Sequence, residues 1–279
     1  MRRHTYVALA ILTAACASTG SSVKSGVEPK DFKKPPFYAG ASVPNVAGIA
    51  YLPIRYQAER TDPKGDAGSP AATLVAEMNA YLDSIATAAK LLPRVTEVGT
   101  APDVHFGCGT VSDCVSDADE NADHRLRLWV GRPSPEWIGW IGAALDSASH
   151  DKALLITLEF GEYWPRQKGL SLGKELRLGT DYSVGVPWLT SLEHTIYVVQ
   201  LTGVLVGRDG RAIRAGAEGM LAKPAPVVMS ALNVELGIRD ADLERLRTLR
   251  RDDLAGQPFV WQVALRHLVS QLTGRAGVS

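Results

Sequence analysis

The chain has 279 residues, 46% hydrophobic and 22% charged, the balance of an ordinary globular protein rather than of a chain too polar to fold. Its 30 Lys and Arg are matched by 30 Asp and Glu, which removes the basic footprint that nucleic-acid binding rests on, so no nucleic-acid partner is expected. Beyond the first residues no run of 18 apolar side chains occurs, and no membrane-spanning helix is expected there.

At the amino terminus, Arg2 and Arg3 precede an uncharged segment from Thr5 to Ala15, the order of a bacterial export signal. As a helix, Tyr6 to Ala15 would reach about 15 Å, half of a hydrocarbon core, so cleavage is expected rather than a permanent span. Leu12, Thr13, Ala14 and Ala15 lead into Cys16. This run resembles the lipobox of bacterial lipoproteins, with Thr13 where that family usually has leucine and Leu12 one place early. The resemblance implies that residues 1–15 are a signal peptide and that Cys16 becomes the acylated first residue, carrying two or three chains. One chain anchors only marginally, whereas two or three hold a protein on a bilayer, each buried methylene contributing about 0.8 kcal/mol. Ala17 follows the cysteine instead of the aspartate that retains family members in the inner membrane, which implies the outer membrane. The alternative is an ordinary secretory signal in which Cys16 is incidental. Without Arg2 and Arg3 the mature part has 28 basic against 30 acidic side chains.

Residues 16–40, rich in Ser, Gly, Lys and Pro, read as an acylated cysteine and flexible tether. Residues 41–274 read as one α/β domain facing the periplasm, a mixed sheet flanked by helices with no internal repeat or boundary. It opens with "NVAGIAYLPIRYQ", a buried strand bounded by turn residues. Ser69 and Pro70 suit the N-cap and first turn of a helix whose apolar stripe is Leu74, Met78, Leu82, Ile85, Ala89 and Leu92. "PRVTEV", "DVHFG" and the alternating "HRLRLWVG" are candidate strands. "SPEWIGWIGAALDSA" is a helix placing Trp137, Trp140, Ile141 and Leu145 on one face.

"KALLITLEFGEYW", "HTIYVVQLTGVLVG" and "RAIRAGAEGMLA" are strong strands, the last two joined at Asp209-Gly210, the dipeptide of a tight hairpin. The long connection from Pro165 to Glu193 is of a length usually reserved for binding or mobility. With its flank it carries Trp164, Arg166, Lys168, Lys174, Arg177 and Trp188. Trp and Arg are enriched at binding hot spots, so these six are the candidate partner-contact residues. Asp240 or Asp242 is a candidate cap for "DLERLRTLRR". Pro258 is expected to begin the last helix, with Val260, Ala264, Leu265, Leu268 and Leu272 on its apolar side and Gly274 as its stop.

Cys108 and Cys114 stand six positions apart in a Gly-, Ser- and Asp-rich stretch. In an oxidising compartment they are expected as a disulfide, which would stabilise a short loop by roughly 2 to 2.5 kcal/mol. Two free thiols, or a metal site recruiting His105 and His124, are the alternatives. Asp117, Asp119, Asn121 and Asp123 alternate as calcium ligands do, but Ala122 and Leu128 occupy the glycine and final-carboxylate positions of an EF-hand, which favours a solvated acidic loop. Glu159 and Glu162 are read as surface carboxylates near a strand end, and His194 and His267 as structural. No nucleophile elbow, zinc-protease motif or phosphate loop occurs, so neither catalytic residues nor a cofactor is expected.

"IAYLPI" and "LTGVLVGRDGRAIRAGAEG" are similar to the opening strand and later hairpin of exported α/β domains: the amino-terminal domain of the Tol translocation protein, curli-export lipoproteins and lipoprotein activators of cell-wall synthases. The resemblance implies a sheet with helices packed on it and a non-enzymatic role in contacting an envelope protein. A lipid-anchored enzyme or small-ligand receptor with an unfamiliar site is the alternative.

Overall fold

The computed structural model describes residues 38–40, 48–57, 67–88, 95, 135–163, 175–177, 183–185, 196–224, 237–251 and 254–274. Among them the chain order is β1 (Tyr38–Gly40), β2 (Ile49–Tyr51), β3 (Arg55–Gln57), α1 (Pro70–Ala88), α2 (Pro135–Ala148), β4 (Lys152–Tyr163), β5 (Glu175–Arg177), β6 (Ser183–Gly185), β7 (Ile196–Gly207), β8 (Ala212–Pro224), α3 (Asp240–Thr248) and α4 (Val260–Thr273).

The sheet is built on β4 and β7, antiparallel and in unbroken register from Lys152↔Gly207 to Tyr163↔Ile196. β8 adds antiparallel to β7 and β1 to β8, while β2 and β3 lie parallel along β4, giving the order β1-β8-β7-β4-β2 with β3 also on β4. β2 and β3 are one predicted strand divided by Leu52-Pro53-Ile54. Proline cannot donate to a ladder, and Asn79 of α1 takes over at the break: its Oδ1 accepts from Ile54 N at 2.7 Å and its Nδ2 donates to Ile54 O at 3.3 Å.

Because strand side chains alternate, the sheet has two different faces. Leu154, Ile156, Leu158, Leu201 and Leu205 pack with α1, α3 and α4 in the larger core; Ala153, Leu155, Val204, Val206 and Ala215 pack beneath α2 in the smaller one. α1 starts where Ser69 Oγ accepts from Ala72 N at 3.1 Å, and Leu74, Met78 and Leu82 are fully buried. Arg247 of α3 forks onto Glu77 of α1, with Nε donating to Oε2 at 3.1 Å, and Tyr81 meets Trp261 of α4 edge to face at 5.6 Å. These glutamate hydrogen bonds raise the Arg247 pKa. On β7, Gly203 lies against α4, Leu268 and Leu272 occupying the space a side chain would need.

Several local expectations are refined. The tight hairpin expected at Asp209-Gly210 is present, as a three-residue loop: Gly210 N donates to Gly207 O, Gly207 N to Arg211 O, and Gly210 has φ 71°, the left-handed residue that closes such a loop. α3 is capped at Arg239, with Asp242 at the third helical position accepting from Arg239 N at 2.9 Å. α4 begins at Val260 rather than Pro258, because Arg251 N donates to Pro258 O and Val260 N to Leu249 O, holding the approach extended. Gly274, φ 68°, ends that helix as expected. The Pro165–Glu193 connection contains the ribbon β5–β6, pairing Arg177 with Ser183. Residues 38–40, at the end of the expected tether, are an edge strand. The described elements form one α/β domain with helices on both faces of a mixed sheet.

Candidate functional site

The face of the sheet beneath α2 changes character along its length. Past the apolar patch of Ala153, Leu155, Val204 and Val206, register sets Ala217, Thr202, Thr157 and Arg55 side by side on β8, β7, β4 and β3, and Gly219 beside Gln200 and Glu159 in the next row. At about 4.8 Å between strands, the longer row spans roughly 14 Å. Thr157, Glu159, Gln200 and Thr202 are all at most 5% exposed.

Buried polar groups persist only when hydrogen-bonded, and Gln200, Thr202 and Glu159 form a relay. Gln200 Nε2 donates to Thr202 Oγ1 at 3.4 Å, and Thr202 Oγ1 donates to Glu159 Oε2 at 2.8 Å. The arrangement orients a carboxylate inside the sheet by giving one of its oxygens a hydroxyl donor. Glu159 is therefore a buried member of a network, not the surface group its place near a strand end suggests. Thr157/Glu159 and Gln200/Thr202 are each two residues apart in otherwise apolar strands, and that period-two pattern is the signal that could have located them.

The row ends against α2. The Arg55 guanidinium carbon lies 4.5 Å from the Trp140 ring centroid, a cation–π contact, and Trp140 sits 5.3 Å from Trp137. Trp137 Nε1 donates to Gly210 O at 3.3 Å, whereas the buried Trp140 Nε1 has no acceptor among the described residues. At the far end of α2, Arg208 from the β7–β8 loop binds Asp146, donates to Asp151 Oδ1 at 3.2 Å and reaches His150 O at 2.9 Å. Its bonds to Asp146 and Asp151 hold its pKa above the ordinary value.

The opposite face carries a second buried carboxylate. Glu218, 2% exposed, accepts from Tyr38 OH at 2.6 Å, and the Arg214 guanidinium lies 5.9 Å from the Tyr38 ring centroid. Burial lowers the Arg214 pKa, with the charge of Tyr38 working in the opposite direction.

Cys16, Cys108, Cys114, Trp164, Arg166, Lys168, Lys174 and Trp188 lie outside the described residues, as do the acidic stretch 117–123, His105, His124 and His194. So do Ala89, Leu92 and, apart from Val95, the candidate strands "PRVTEV", "DVHFG" and "HRLRLWVG". Val95 N donates to Tyr51 O at 3.0 Å at the β2 edge. Of the six candidate contact residues, Arg177 alone is placed, on β5. His267 is half-buried on α4. Among the described residues no group of three or more His, Cys, Asp or Glu is positioned to hold a metal ion, and no helix is long and apolar enough to cross a membrane. Comparison of the chain with protein-family models, curated proteins and solved structures gave no match.

Proposed function

We propose that the protein is a bacterial lipoprotein, held in the outer membrane by acyl chains on Cys16 and facing the periplasm, whose α/β domain acts as a non-enzymatic interaction or assembly factor for another envelope protein. The observation that carries this reading is the order Arg2-Arg3, uncharged Thr5–Ala15, small residues and Cys16. The likeness of "IAYLPI" and the β7–β8 segment to exported α/β domains supports the kind of role. Trp164, Arg166, Lys168, Lys174, Arg177 and Trp188 supply the contact surface, two aromatic anchors around a set of cations. Cross-linking and mass spectrometry of the chain in its native envelope tests the role. A recurrent protein partner lost on deleting residues 166–186 is the expected result; an unchanged inventory counts against the surface.

The second reading, a lipid-anchored enzyme or small-ligand receptor, is favoured by the polar rows beside the unaccepted Trp140 N–H. Native mass spectrometry of the extracted protein distinguishes it: a bound non-lipid mass lost in Trp140→Phe supports a receptor.

A further inference from the structure

The hydrogen bonds on the covered polar face do not balance. Gln200 gives a donor to Thr202, and Thr202 gives its own to Glu159. Thr157, 5% exposed and opposite Thr202 in the β4–β7 register, makes no side-chain hydrogen bond among the described residues. The amide oxygen of the buried Gln200 accepts none there, and the buried Trp140 Nε1 donates none. Native proteins carry few such groups, because a buried donor or acceptor without a partner is costly. These three stand close together. Thr157 and Gln200 are diagonal neighbours on β4 and β7, a spacing long side chains can span. The Trp140 ring lies against Arg55, the residue beside Thr157 in the same row. On the β8 side the rows end in Ala217 and Gly219, whose side chains have no polar atom to offer.

The chemistry of the three groups defines what completes them. An indole N–H only donates, a threonine hydroxyl donates and accepts, and an amide oxygen only accepts. None of the three is charged, and their charged neighbours, Arg55 and Glu159, are of opposite sign. An ion held here would bring a net charge into an enclosed setting and meet its desolvation cost. A hydroxyl group both donates and accepts, and so suits all three. We infer that this face holds a small uncharged molecule with several hydroxyl groups, a polyol or a single sugar ring. Trp140 Nε1 and Thr157 Oγ1 donate to it and Gln200 Oε1 accepts from it. The inference rests on the receptor reading, which it deepens, and does not depend on Cys16.

Saturation-transfer NMR on the full-length chain tests the site, with glucose and glycerol as neutral probes and acetate and ethylammonium as charged ones. Transfer to a neutral probe and to neither ion is the expected result. Thr157→Val keeps the shape of the side chain and is expected to weaken that binding by roughly 5- to 100-fold, the factor for a buried polar group deprived of its partner. Trp140→Phe is expected to act in the same direction. Urea unfolding without probe gives a second readout. The Thr157 hydroxyl has no partner to lose, so the Thr157→Val midpoint should hold or rise, whereas Thr202→Val breaks the bond to Glu159. A lowered Thr157→Val midpoint would mean that water already completes the hydroxyl, and would overturn the inference. Equal transfer in wild type and Thr157→Val would put the binding elsewhere and overturn the site. Transfer to the ions in place of the neutral probes would overturn the ligand class and leave a receptor standing; no transfer to any probe would count against the receptor reading as well.

Discussion

Replacing Gly203 by alanine tests the packing of α4 on the sheet. A Cβ built on Gly203 would stand 2.5 Å from Leu272 Cδ1 and 3.0 Å from Leu268 Cδ2. Carbon atoms rest at about 3.5–4.0 Å, so Leu272 must retreat by roughly 1 Å or more. Both leucines are fully buried, and overpacking of this kind costs about 1–3 kcal/mol. Removing a glycine from a strand interior returns roughly 0.5–1 kcal/mol, so the net loss centres on about 1 kcal/mol and reaches at most about 2.5 kcal/mol. At about 2–4 °C per kcal/mol for a domain of this size, the central loss should lower the melting temperature by roughly 2–4 °C. Urea unfolding is the assay: the midpoint falls and the slope is unchanged. A double mutant with Leu272→Ala should be less unstable than the sum of the two single mutants, by about 0.5 kcal/mol or more, because the smaller side chain vacates the contested space. A neutral Gly203→Ala, or strict additivity with Leu272→Ala, would refute this packing.

Ser149 has φ 56° at the end of α2, where His150 N donates to Leu145 O in the six-to-one pattern of a left-handed helix cap. Ser149→Gly should therefore raise stability by about 0.5–1 kcal/mol in the same urea assay. Thr202→Val keeps the shape of the side chain but removes the hydroxyl between Gln200 and Glu159; a loss of roughly 1–3 kcal/mol is expected, and a neutral result would take the relay out of the structure's stability. Ser69→Ala removes the acceptor for Ala72 N at the start of α1 and should cost about 1 kcal/mol, read as a lower midpoint.

Elements with an unambiguous period were legible in the sequence. α1 declares itself through Ser69, Pro70 and the Leu74-Met78-Leu82 stripe, α2 through Trp137, Trp140, Ile141 and Leu145, β4 and β7 through long β-branched and aliphatic runs, and β8 through its place after Asp209-Gly210. What stayed hidden depends on distant partners. Tyr38 sits in a Pro-, Gly- and Lys-rich stretch with no pattern of its own, and its strand exists because Gly216 and Glu218 form a socket, the latter 180 residues away. Pro53 divides a strand that composition alone joins, and the break is tolerated because Asn79 is held opposite by α1. The polar row was present as two period-two pairs, but only the β4–β7 register shows that Thr157 faces Thr202 and Glu159 faces Gln200 on one covered face. The distinction between a surface glutamate and a buried one lay in that register.

The intact mass of the mature chain, taken from the membrane fraction of its native host, tests the proposed function most directly. A polypeptide starting at Cys16 and carrying the added mass of two or three acyl chains, with Cys16→Ser shifted to the soluble fraction, is the expected result. A chain cleaved elsewhere or bearing no lipid, with Cys16→Ser still fractionating with membranes, would contradict the anchor and the envelope role built on it.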